Sequence, residues 1–498
     1  MPLSGSALLV DLVAASPGAV LGGGDPRVRI SGISHDTRTL QRDDLFVAIS
    51  GLQHNAIDFV PDAIARGAAA IVAEAPLTTT VPNVVVPNAR AALADFSAAF
   101  FERPSDKLVV VGITGTDGKT STTHLLSAIL EAHGVRTGWL TTVNTKIGAE
   151  LRPNAVDHTT PEAPIVQRTL AEMVAQRLEV AILETSSHAL ALDRVRGTRF
   201  KVGVFTNLSP EHLNFHGTFE AYAAAKARLF ASLPRDGLAV LNADDPSSAI
   251  MRAASAARCL TYGLLNSADF TATDVQLTAS GTTFTLQPYS TVVNTRLIGR
   301  FNVANWLAAY TAATFFGAAP DDLHRAASTQ EPVAGRMNLV QAGQPFAVVV
   351  DFAHTPQALE KAIATLRELG TARILLVFGL AGGRDYSNRP VMGSLAARKS
   401  DFFVITTDDP GDEDPTVIAE QIARGAQADG RDNFTIELDR RAAVRLALER
   451  ARRGDAVLLA GKGHEQRMVV RGQRLPWNDA RVARELLTEL GFAAPPSR

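Results

Sequence analysis

Short apolar runs alternate with helical stretches along most of this 498-residue chain. Apolar runs of this length, separated by helices, are typical of strands that are buried in parallel sheets. We therefore predict an α/β fold with largely parallel sheets. The predicted strands lie at residues 44–51, 68–74, 83–87, 108–114, 180–184, 202–207, 237–242, 346–352, 374–379, 401–407 and 455–461.

Two polar or irregular stretches divide this pattern into three parts, which agrees with the roughly 150 residues of an average domain. The first stretch is ERPSDK at residues 102–107, and the second is STQEPVAGRMN at residues 328–338. We predict a small α/β N-terminal domain over residues 1–104, a central domain with a mainly parallel sheet over 105–332, and a Rossmann-like C-terminal domain over 333–498.

The composition excludes several classes of protein. With 49 basic and 51 acidic residues the net charge is −2, so the chain lacks the basic excess typical of proteins that bind nucleic acid. Cys259 is the one cysteine of the sequence, which excludes disulfide scaffolds and cysteine-rich zinc sites and favours a reducing compartment. Asp11 interrupts an N-terminal stretch that lacks a basic region, and no apolar run reaches the roughly 18 residues of a transmembrane helix. We expect a cytoplasmic protein with neither nucleic acid nor membrane as a partner.

The segment VVVGITGTDGKTSTTHLLSAIL, residues 109–130, predicts a buried strand, a glycine-rich turn and a helix. In such a turn, backbone N–H groups surround phosphate oxygens, and the N-terminus of the helix adds partial positive charge. Lys119 would neutralise the β- and γ-phosphates, and the Thr120 hydroxyl would bind Mg²⁺. The strict pattern G-x-x-x-x-G-K-[ST] fails at one position, because Ile113 stands where its first glycine belongs. The alternative is a glycine-rich turn without a ligand, which the strand–turn–helix context disfavours.

Residues that could bind a metal follow this loop in the sequence. Glu184 ends the predicted strand VAILE, which places its carboxylate at the sheet edge where α/β proteins bind ligands. The segment VFTNLSPEHLNFHGTFEAYAAAKARLF, residues 204–230, contains His212, His216 and Lys226. On composition alone, the histidines also fit structural roles and the lysine an exposed position on a helix.

Taken together, these segments resemble the Mur ligase and folylpolyglutamate synthetase superfamily. Residues 112–121 match its loop G-x-x-G-T-D-G-K-T-S, and residues 206–217 match T-N-L-x-x-[DE]-H-L-[DN]-x-H-G. LIGRFNVANWLAAY at 297–310, AGRMN at 334–338 and DFAHTPQALEK at 351–361 fit later motifs of the superfamily. The resemblance implies that the central domain is a P-loop-type ATPase domain.

The resemblance also implies ATP and Mg²⁺ as cofactors. Lys119, His212 and Lys226 would be catalytic, with Lys226 carbamylated so that a cation becomes a carboxylate-like ligand. The implied nucleotide-binding residues are Gly115, Thr116, Asp117, Gly118, Lys119, Thr120, Ser121, Asn305, Arg336 and Asp351. The implied metal ligands are Thr120, Glu184, His212 and Lys226.

Within the superfamily the chain is most similar to the UDP-N-acetylmuramoyl-tripeptide synthetases, over residues 30–485. SHDTRTLQRDDLFVAISG at 34–51, HTTPEA at 158–163 and AGKGHE at 460–465 support this branch, because a folylpolyglutamate synthetase is not expected to have the first or the last of them. The residues implied to bind the UDP-sugar are Thr37, Gln53, His54, Thr159, Thr160, Ser186 and Arg194. The residues implied to bind the diamino acid are Arg384, Asp408, Asp409, Gly461 and Glu465.

The implied activity is that of an ATP-dependent amide ligase in peptidoglycan precursor synthesis. The γ-phosphoryl group of ATP would move to the D-glutamate carboxylate of UDP-MurNAc-L-Ala-D-Glu, and the amine of a free diamino acid would displace phosphate. Phosphoryl transfer needs little covalent help from the protein, so the residues would mainly position groups and neutralise charge. We expect the enzyme to work as a monomer.

Two residues depart from the pattern of this branch. Leu192 stands where a glutamine often contacts the nucleotide-sugar, and Gly411 stands where an arginine marks enzymes that use meso-diaminopimelate. Gly411 lies in TTDDPGDEDP, residues 406–415, whose carboxylates favour a ligand with a purely cationic far end. We therefore expect L-lysine or L-ornithine rather than meso-diaminopimelate.

Alternatives remain open at this stage. Arg384 and Arg389 could take the place of the missing arginine, and the acidic run could be a solvated turn before a helix that begins at Pro415. The chain could also be a folylpolyglutamate-synthetase-like ligase, a ligase of specialised metabolism, or a P-loop ATPase that is not a ligase. A ligase hydrolyses ATP appreciably only when both acceptor and amine are present, and this property separates it from an ATPase switch.

Overall fold

The computed structural model describes residues 5–49, 56–154, 158–383 and 386–492. The elements of the N-terminal domain are β1 (Ala7–Leu8), α1 (Leu9–Ala15), β2 (Val20–Gly23), β3 (Arg29–Ile30), β4 (Gly32–Ser34), β5 (Asp44–Val47), a 3₁₀ turn (Ala56–Phe59), α2 (Val60–Ala65), β6 (Ala70–Ala73), β7 (Asn83–Val85) and α3 (Ala89–Phe100). The described part forms a sheet of order β2-β7-β6-β5-β4, in which only β2 is antiparallel to its neighbour. Helix α3 begins after Asn88, whose side chain accepts the Ala91 N–H, and packs Leu93 and Phe96 on this sheet.

The central domain is built on one large sheet. Its elements are β8 (Val109–Thr114), α4 (Lys119–Ala132), β9 (Thr137–Leu140), β10 (Asn144–Ile147), β11 (Glu150–Pro153), α5 (Ala163–Ala175), β12 (Val180–Glu184), α6 (Ser187–Ala191), β13 (Phe200–Phe205), α7 (Leu213–His216), α8 (Phe219–Ala231), β14 (Leu238–Asn242), α9 (Ser248–Ala254), β15 (Arg258–Gly263), β16 (Phe270–Thr278), β17 (Gly281–Gln287), β18 (Thr291–Thr295), α10 (Arg300–Ala313) and α11 (Pro320–Thr329). Among the described residues the strand order is β11-β10-β9-β12-β8-β13-β14-β15-β16-β17-β18. A 3₁₀ turn (Pro104–Asp106) precedes β8.

Helices cover both faces of the parallel part of this sheet, which explains why its strands are almost wholly apolar. Val111 of β8 packs with Leu125 of α4 and Trp306 of α10 on one face. Val110 of the same strand packs with Leu229 of α8 on the other face. Because β12, β8 and β13 are parallel neighbours, their carboxyl ends meet at one edge, where the phosphate loop lies.

The antiparallel margins of the sheet were not predicted. Strands β10 and β11 form a hairpin, and β16, β17 and β18 form a meander on the far side. The sequence of β16, FTATDVQLT, is rich in threonine and only partly buried, so it lacks the continuous apolar run on which the strand prediction depended.

The C-terminal domain has the predicted Rossmann-like architecture. Its elements are β19 (Asn338–Leu339), β20 (Ala347–Asp351), α12 (Pro356–Glu368), β21 (Ile374–Phe378), α13 (Asn388–Lys399), β22 (Phe402–Ile405), α14 (Pro415–Ala428), β23 (Phe434–Ile436), α15 (Arg440–Arg450), β24 (Ala456–Ala460), β25 (Arg467–Val470), β26 (Gln473–Pro476) and α16 (Asp479–Glu489). The described sheet has the order β19-β20-β24-β21-β22-β23, and only β19 is antiparallel. Helices α12, α13 and α14 cover one face, and α15 and α16 cover the other.

The predicted α/β class with mainly parallel sheets is confirmed, whereas the exact boundaries at residues 104 and 332 stay predictions. In the part of the chain that the structure describes, no helix combines the length and the apolar character needed to cross a membrane.

Candidate active site

The phosphate loop connects β8 to α4 and needs glycine at two positions. Gly115 has φ 151° and Gly118 has φ 85°, in the region that residues with a side chain rarely adopt. A Cβ at Gly115 would overlap Thr206 Oγ1, and a Cβ at Gly118 would lie 2.6 Å from Asn305 Oδ1. The loop is therefore pressed against two neighbouring segments, and its helix begins with Lys119 directly at the turn.

Hydrogen bonds to the loop after β13 hold the phosphate loop in place. The Thr116 N–H donates to the Asn207 carbonyl at 2.8 Å, and the Asp117 N–H donates to Asn207 Oδ1 at 3.0 Å. Thr206 Oγ1 donates to the Asp117 carbonyl at 2.6 Å. The two motifs that the sequence places about 90 residues apart thus form one unit, in which the second motif orders the first.

Two lysines converge on a single carbonyl of the loop. Lys119 Nζ donates to the carbonyl oxygens of Gly115 at 3.1 Å and Thr116 at 2.7 Å. Lys226 Nζ of α8 donates to the same Gly115 oxygen at 2.7 Å and lies 4.5 Å from the centre of the Tyr222 ring. Burial, together with the nearby Lys119 charge, lowers the pKa of Lys226 well below its usual value. This corner of the site therefore brings the Lys119 cation next to a buried amine whose charged form is disfavoured.

Two of the predicted metal ligands lie next to the phosphate loop: Glu184 ends β12, and Thr120 lies in the first turn of α4. Glu184 is fully buried at the end of β12, and its carboxylate accepts hydrogen bonds from the Thr142 N–H at 3.2 Å and the Thr142 hydroxyl at 3.0 Å. Thr120 and Ser121 lie in the first turn of α4. His124 Nδ1 lies 2.8 Å from the Thr120 carbonyl oxygen, and burial lowers the pKa of its imidazole against the opposing effects of this contact and of the Glu184 charge.

His212 begins α7 with a left-handed backbone conformation, φ 57°. Burial lowers the pKa of its imidazole to about 4, against the opposing effect of the Glu211 carboxylate and with further lowering by Lys119. The neutral form keeps a lone pair that can bind a metal. His188 stacks on it edge-to-face at 4.6 Å, and burial lowers the pKa of His188 to about 3.

Two of the three nucleotide-binding candidates of the later motifs contact helix α4 next to the loop. Asn305 Oδ1 of α10 accepts from Thr122 Oγ1 of α4 at 3.4 Å. Arg336 donates to Thr120 Oγ1 at 3.5 Å and stacks on Phe352 at 4.6 Å. Asp351 ends β20 and accepts the backbone N–H groups of Met337 and Ala353, while burial raises the pKa of its carboxyl.

Three contacts join the central domain to the C-terminal domain beside the loop. Glu211 lies 3.4 Å from His354, Asp117 lies 3.8 Å from Lys361, and Arg336 contacts Thr120 as described above. Although burial opposes its ionisation, the hydrogen bond from His354 and the nearby Lys119 charge hold the pKa of Glu211 well below its usual range. Glu211 is thus a carboxylate that both domains share.

Residues predicted to contact the UDP-sugar lie directly behind Glu184. The Thr160 hydroxyl donates to the Glu184 carbonyl at 2.7 Å and accepts the Ser186 N–H at 3.1 Å. Arg194 donates to the Thr160 carbonyl at 3.2 Å and pairs with Glu162 at 2.8 Å. These contacts gather the central-domain part of the predicted acceptor site around one strand end.

The remaining acceptor candidates lie farther out or outside the described residues. Thr37 is buried in the loop after β4, and Thr159 is half-buried beside Thr160. Gln53 and His54 lie outside the described residues. Leu192, the first departure from the family pattern, caps the C-terminal end of α6.

The predicted amino-acid site is a network of charges in the C-terminal domain. Oxygens of Asp408, Asp409 and Glu465 lie within 4.8 Å of one another. The Lys462 ammonium lies among them, 3.8 Å from Asp408, 2.8 Å from Asp409 and hydrogen-bonded to Glu465. Gly461 is required beside them, because a Cβ there would overlap Asp408 Oδ2.

Burial and the neighbouring cations have opposite effects on the pKa of Asp408. Burial raises the pKa of its carboxyl to about 7, although Arg440 at 3.9 Å and Lys462 lower it. Arg440 is itself buried and forms a two-pronged ion pair with Asp479 at 2.9 and 2.8 Å. Lys462 lies in the motif AGKGHE, and Arg440 lies in the sequence DRRAAV at residues 439–444, but neither residue was predicted as part of the site.

The environment of Gly411 bears on the choice of amino acid. Gly411 has φ 61°, and a Cβ there would meet no described atom within 4 Å, so the position is open. Arg389, a predicted substitute for the missing arginine, lies in α13 and is buried. It pairs with Glu413 at 2.6 and 2.8 Å, donates to Gln421 and stacks on Tyr386. The Arg389 guanidinium is therefore occupied by contacts within the protein. Arg384 lies outside the described residues.

Comparisons with known proteins agree with this architecture. Family models match at three places: the Mur ligase family catalytic domain at residues 29–101, the Mur ligase middle domain at 113–313 and the Mur ligase glutamate ligase domain at 335–463. A solved structure of a UDP-N-acetylmuramoyl-L-alanyl-D-glutamate–2,6-diaminopimelate ligase is 30% identical with a TM-score of 0.67, and the match covers 98% of this chain and 100% of that one.

Curated relatives match over nearly their whole length. The UDP-N-acetylmuramoyl-L-alanyl-D-glutamate–2,6-diaminopimelate ligase of Geobacillus kaustophilus is 41% identical, with 97% of this chain and 100% of the relative covered. The UDP-N-acetylmuramyl-tripeptide synthetase of Deinococcus radiodurans is 43% identical, with 93% and 96% covered. The chain belongs to the Mur ligase family. The predicted class of ATP-dependent ligase, of the tripeptide synthetase type, is confirmed.

Proposed function

We propose that this chain joins a diamino acid to the D-glutamate carboxylate of UDP-MurNAc-L-Ala-D-Glu, with ATP and Mg²⁺, as a cytoplasmic monomer. The observation that carries the proposal is the hydrogen bond from Thr160 to the Glu184 carbonyl, at 2.7 Å. Through Thr160, the acceptor candidates Ser186 and Arg194 are linked to the backbone of Glu184, the predicted Mg²⁺ ligand that ends β12 next to the phosphate-loop strand β8. An acceptor that binds there would have its carboxylate next to the γ-phosphate.

Charge neutralisation explains the phosphate end of the site. Lys119, Arg336 and the N-terminus of α4 would hold the phosphates while the acceptor carboxylate attacks phosphorus and ADP departs. The donor set fits Mg²⁺, because Glu184 and Thr120 offer hard oxygens and neutral His212 offers an imidazole nitrogen. When bound, Mg²⁺ would neutralise phosphate charge and orient the transferred group.

The surroundings of Lys226 support its carbamylation. Burial and the adjacent Lys119 favour the neutral amine, which is the form that attacks CO₂. A nitrogen–carbon bond would form as one C=O π bond of CO₂ opens onto oxygen, an amine proton would leave to solvent, and the neutral amine would become an anionic carbamate. The carbamate would be attracted to the neighbouring Lys119 cation and would add a carboxylate-like ligand beside the phosphate loop.

The second stage brings the diamino acid to the acyl phosphate. The amine nitrogen attacks the acyl carbon, the carbon–oxygen bond to phosphate breaks, and a proton leaves the amine. Asp408, Asp409 and Glu465 would bind ammonium charge of the incoming amino acid, with Lys462 holding the three carboxylates together. Gly461 provides the close backbone approach.

We further propose that L-lysine or L-ornithine is the preferred amino acid. The pocket has carboxylates in excess, Gly411 has no side chain, and Arg389 is tied to Glu413, so a distal carboxylate of meso-diaminopimelate would find no free guanidinium among these described residues. The name of the Geobacillus kaustophilus relative specifies 2,6-diaminopimelate, whereas the name of the Deinococcus radiodurans relative leaves the amino acid open.

The test measures phosphate release from ATP with UDP-MurNAc-L-Ala-D-Glu and each amino acid in turn. We expect release only when both the acceptor and a diamino acid are present, and equal release without them would identify an ATPase that is not a ligase. In direct competition at equal concentration, L-lysine or L-ornithine should have the higher kcat/KM. A kcat/KM for meso-diaminopimelate at or above both would overturn the proposed preference.

A pair of variants at position 411 sharpens this test. Gly411→Arg should raise the kcat/KM for meso-diaminopimelate relative to L-lysine by about 10-fold or more, because a charge-assisted two-pronged pair stabilises by roughly 1.5–3 kcal/mol. Gly411→Ala is the matched control, since it carries the same strain at positive φ without the guanidinium. An equal shift in both variants would attribute the effect to the backbone and would count against the proposal.

A further inference from the structure

Glu211 occupies a junction that the proposed chemistry does not yet use. It lies in the loop between β13 and α7, and its side chain is 14% exposed. One carboxylate oxygen lies 3.5 Å from His212 Nε2 and 3.4 Å from His354 Nε2. His212 belongs to the central domain, whereas His354 follows β20 of the C-terminal domain.

The imidazole of His212 depends on its neighbours for its orientation. His212 is the residue directly before α7 and has a left-handed backbone conformation. Glu211 lies on one side of the ring and His188 packs against it at 4.6 Å. A carboxylate beside the ring therefore helps to determine which way its nitrogens point.

The shared carboxylate is better shielded than the other ion pair that crosses between the two domains at this point. The Asp117–Lys361 contact measures 3.8 Å, and the lysine side chain is 48% exposed. The His354 and Glu211 side chains are 34% and 14% exposed, against 48% and 28% for Lys361 and Asp117, so water and salt screen the Glu211–His354 contact less. His354 also packs against Phe352. The Arg336 guanidinium stacks on the Phe352 ring, 4.6 Å from its centre.

We propose that Glu211 is a positioning residue that couples docking of the C-terminal domain to the orientation of His212. The inference rests on the proposed function, since it concerns the same reaction. When the C-terminal domain is docked, His354 fixes the carboxylate, and the carboxylate fixes His212. When the domain is away, Glu211 loses one partner, and His212 is held less firmly.

A double-mutant cycle tests the coupling. Glu211→Gln and His354→Ala should each lower kcat by about 10-fold to 100-fold, the range expected for loss of a hydrogen bond to a charged group. The double variant should be no more than about twofold worse than either single variant, because one interaction cannot be lost twice. Glu211→Asp, which keeps the charge, should recover part of the activity.

Two further measurements separate positioning from a general structural effect. The Mg²⁺ concentration for half-maximal activity should rise in Glu211→Gln, and the stabilisation of the variant against heat by Mg²⁺ and ADP should fall. Lys361→Gln is the matched control, because it removes the exposed interdomain pair, and it should change kcat by less than about twofold.

The outcomes also separate this inference from the proposed function. A wild-type protein without phosphate release that depends on acceptor and amine refutes the function itself. A functional wild type whose Glu211→Gln variant keeps more than half of its kcat, or whose two single effects multiply in the double variant, refutes the coupling alone. If Glu211→Gln fails to fold, Glu211→Asp and His354→Ala still form a cycle with the same expected non-additivity.

Discussion

The phosphate end and the amino-acid end of this site are built in opposite ways. At the phosphate end, the carbonyl of Gly115 organises two lysines, and glycines at tight backbone contacts shape the loop. At the amino-acid end, Asp408, Lys462 and Arg440 form a network of side chains that come from two loops and from the start of α15 in the C-terminal domain. The difference reflects the ligands: oxygens of phosphates suit a cage of N–H groups and fixed cations, whereas ammonium groups suit clustered carboxylates.

The two ends also differ in how strongly a single substitution should reduce the activity. The phosphate end offers its positive charge at few points, so removal of Lys119 leaves the transferred group with only Arg336 and the N-terminus of α4 among the described groups proposed to hold the phosphates. The amino-acid end spreads its charge over several acids, so loss of one leaves the others in place. Mutations at the phosphate end should therefore have the larger effects.

Lys119→Ala should break the phosphate end most completely. We expect a loss of about 10²–10³-fold or more in phosphate release, because the variant lacks the ammonium that stabilises the transferred phosphoryl group. Lys107→Ala is a suitable control, since Lys107 pairs with Glu102 on an exposed surface. Near-normal turnover of a Lys119→Ala protein that melts like the wild type would refute the assignment of this loop.

Lys226→Ala tests whether the second lysine of the loop acts as an anion. We expect a nearly inactive variant, with a loss of about 10²-fold, that formate or acetate partly restores, since a small carboxylate can occupy the vacated position. The same acids should not restore Lys119→Ala, where a cation is missing. Full activity of Lys226→Ala, or equal rescue of both variants, would show that the two lysines are not a cation and a carbamate.

Sequence reasoning described the phosphate end far better than the amino-acid end, for a physical reason. A loop that is shaped by glycines and followed by a helix is local, so Lys119 and Thr120 could be predicted from one segment. Glu184 and His212 could be placed because parallel strands bring their carboxyl ends to one edge. Their exact roles needed a resemblance to known ligases.

The parts that the sequence did not predict depend on long-range contacts. Lys462 lies in a motif that supports the family, but only the folded structure shows that Lys462 and Arg440 lie beside Asp408. The pairing of Glu211 with His354 joins two domains across 143 positions of sequence, which local patterns cannot indicate. The meander that begins with β16 was not predicted for another reason, because β16 is threonine-rich, only partly buried and without a continuous apolar run.

The pH dependence of amino-acid binding should show the smaller effect expected of the amino-acid end. Burial raises the pKa of Asp408 to about 7 from 3.8, so the group changes from mostly neutral at pH 6 to mostly ionised at pH 8. Four charged groups face this carboxyl. The Arg440 and Lys462 cations lower its pKa, and the Asp409 and Glu465 carboxylates raise it.

An ionised Asp408 attracts the ammonium of the diamino acid, so the KM for the amino acid should fall by about three- to tenfold between pH 6 and pH 8.

Although amino-acid binding should become stronger with rising pH, the free energy of unfolding of the protein should decrease. Since the folded state binds this proton more tightly than the unfolded state, the contribution of Asp408 to stability decreases as pH rises from about 4 to about 7. Asp408→Asn cannot titrate, so its KM should change less over the same range, and its melting temperature should fall less with rising pH. Steady-state kinetics and thermal melts at matched ionic strength measure both. If the wild type and Asp408→Asn show the same pH profile of KM, the titrating group belongs elsewhere, and the charge at the amino-acid end is fixed in the way that the charge at the phosphate end is.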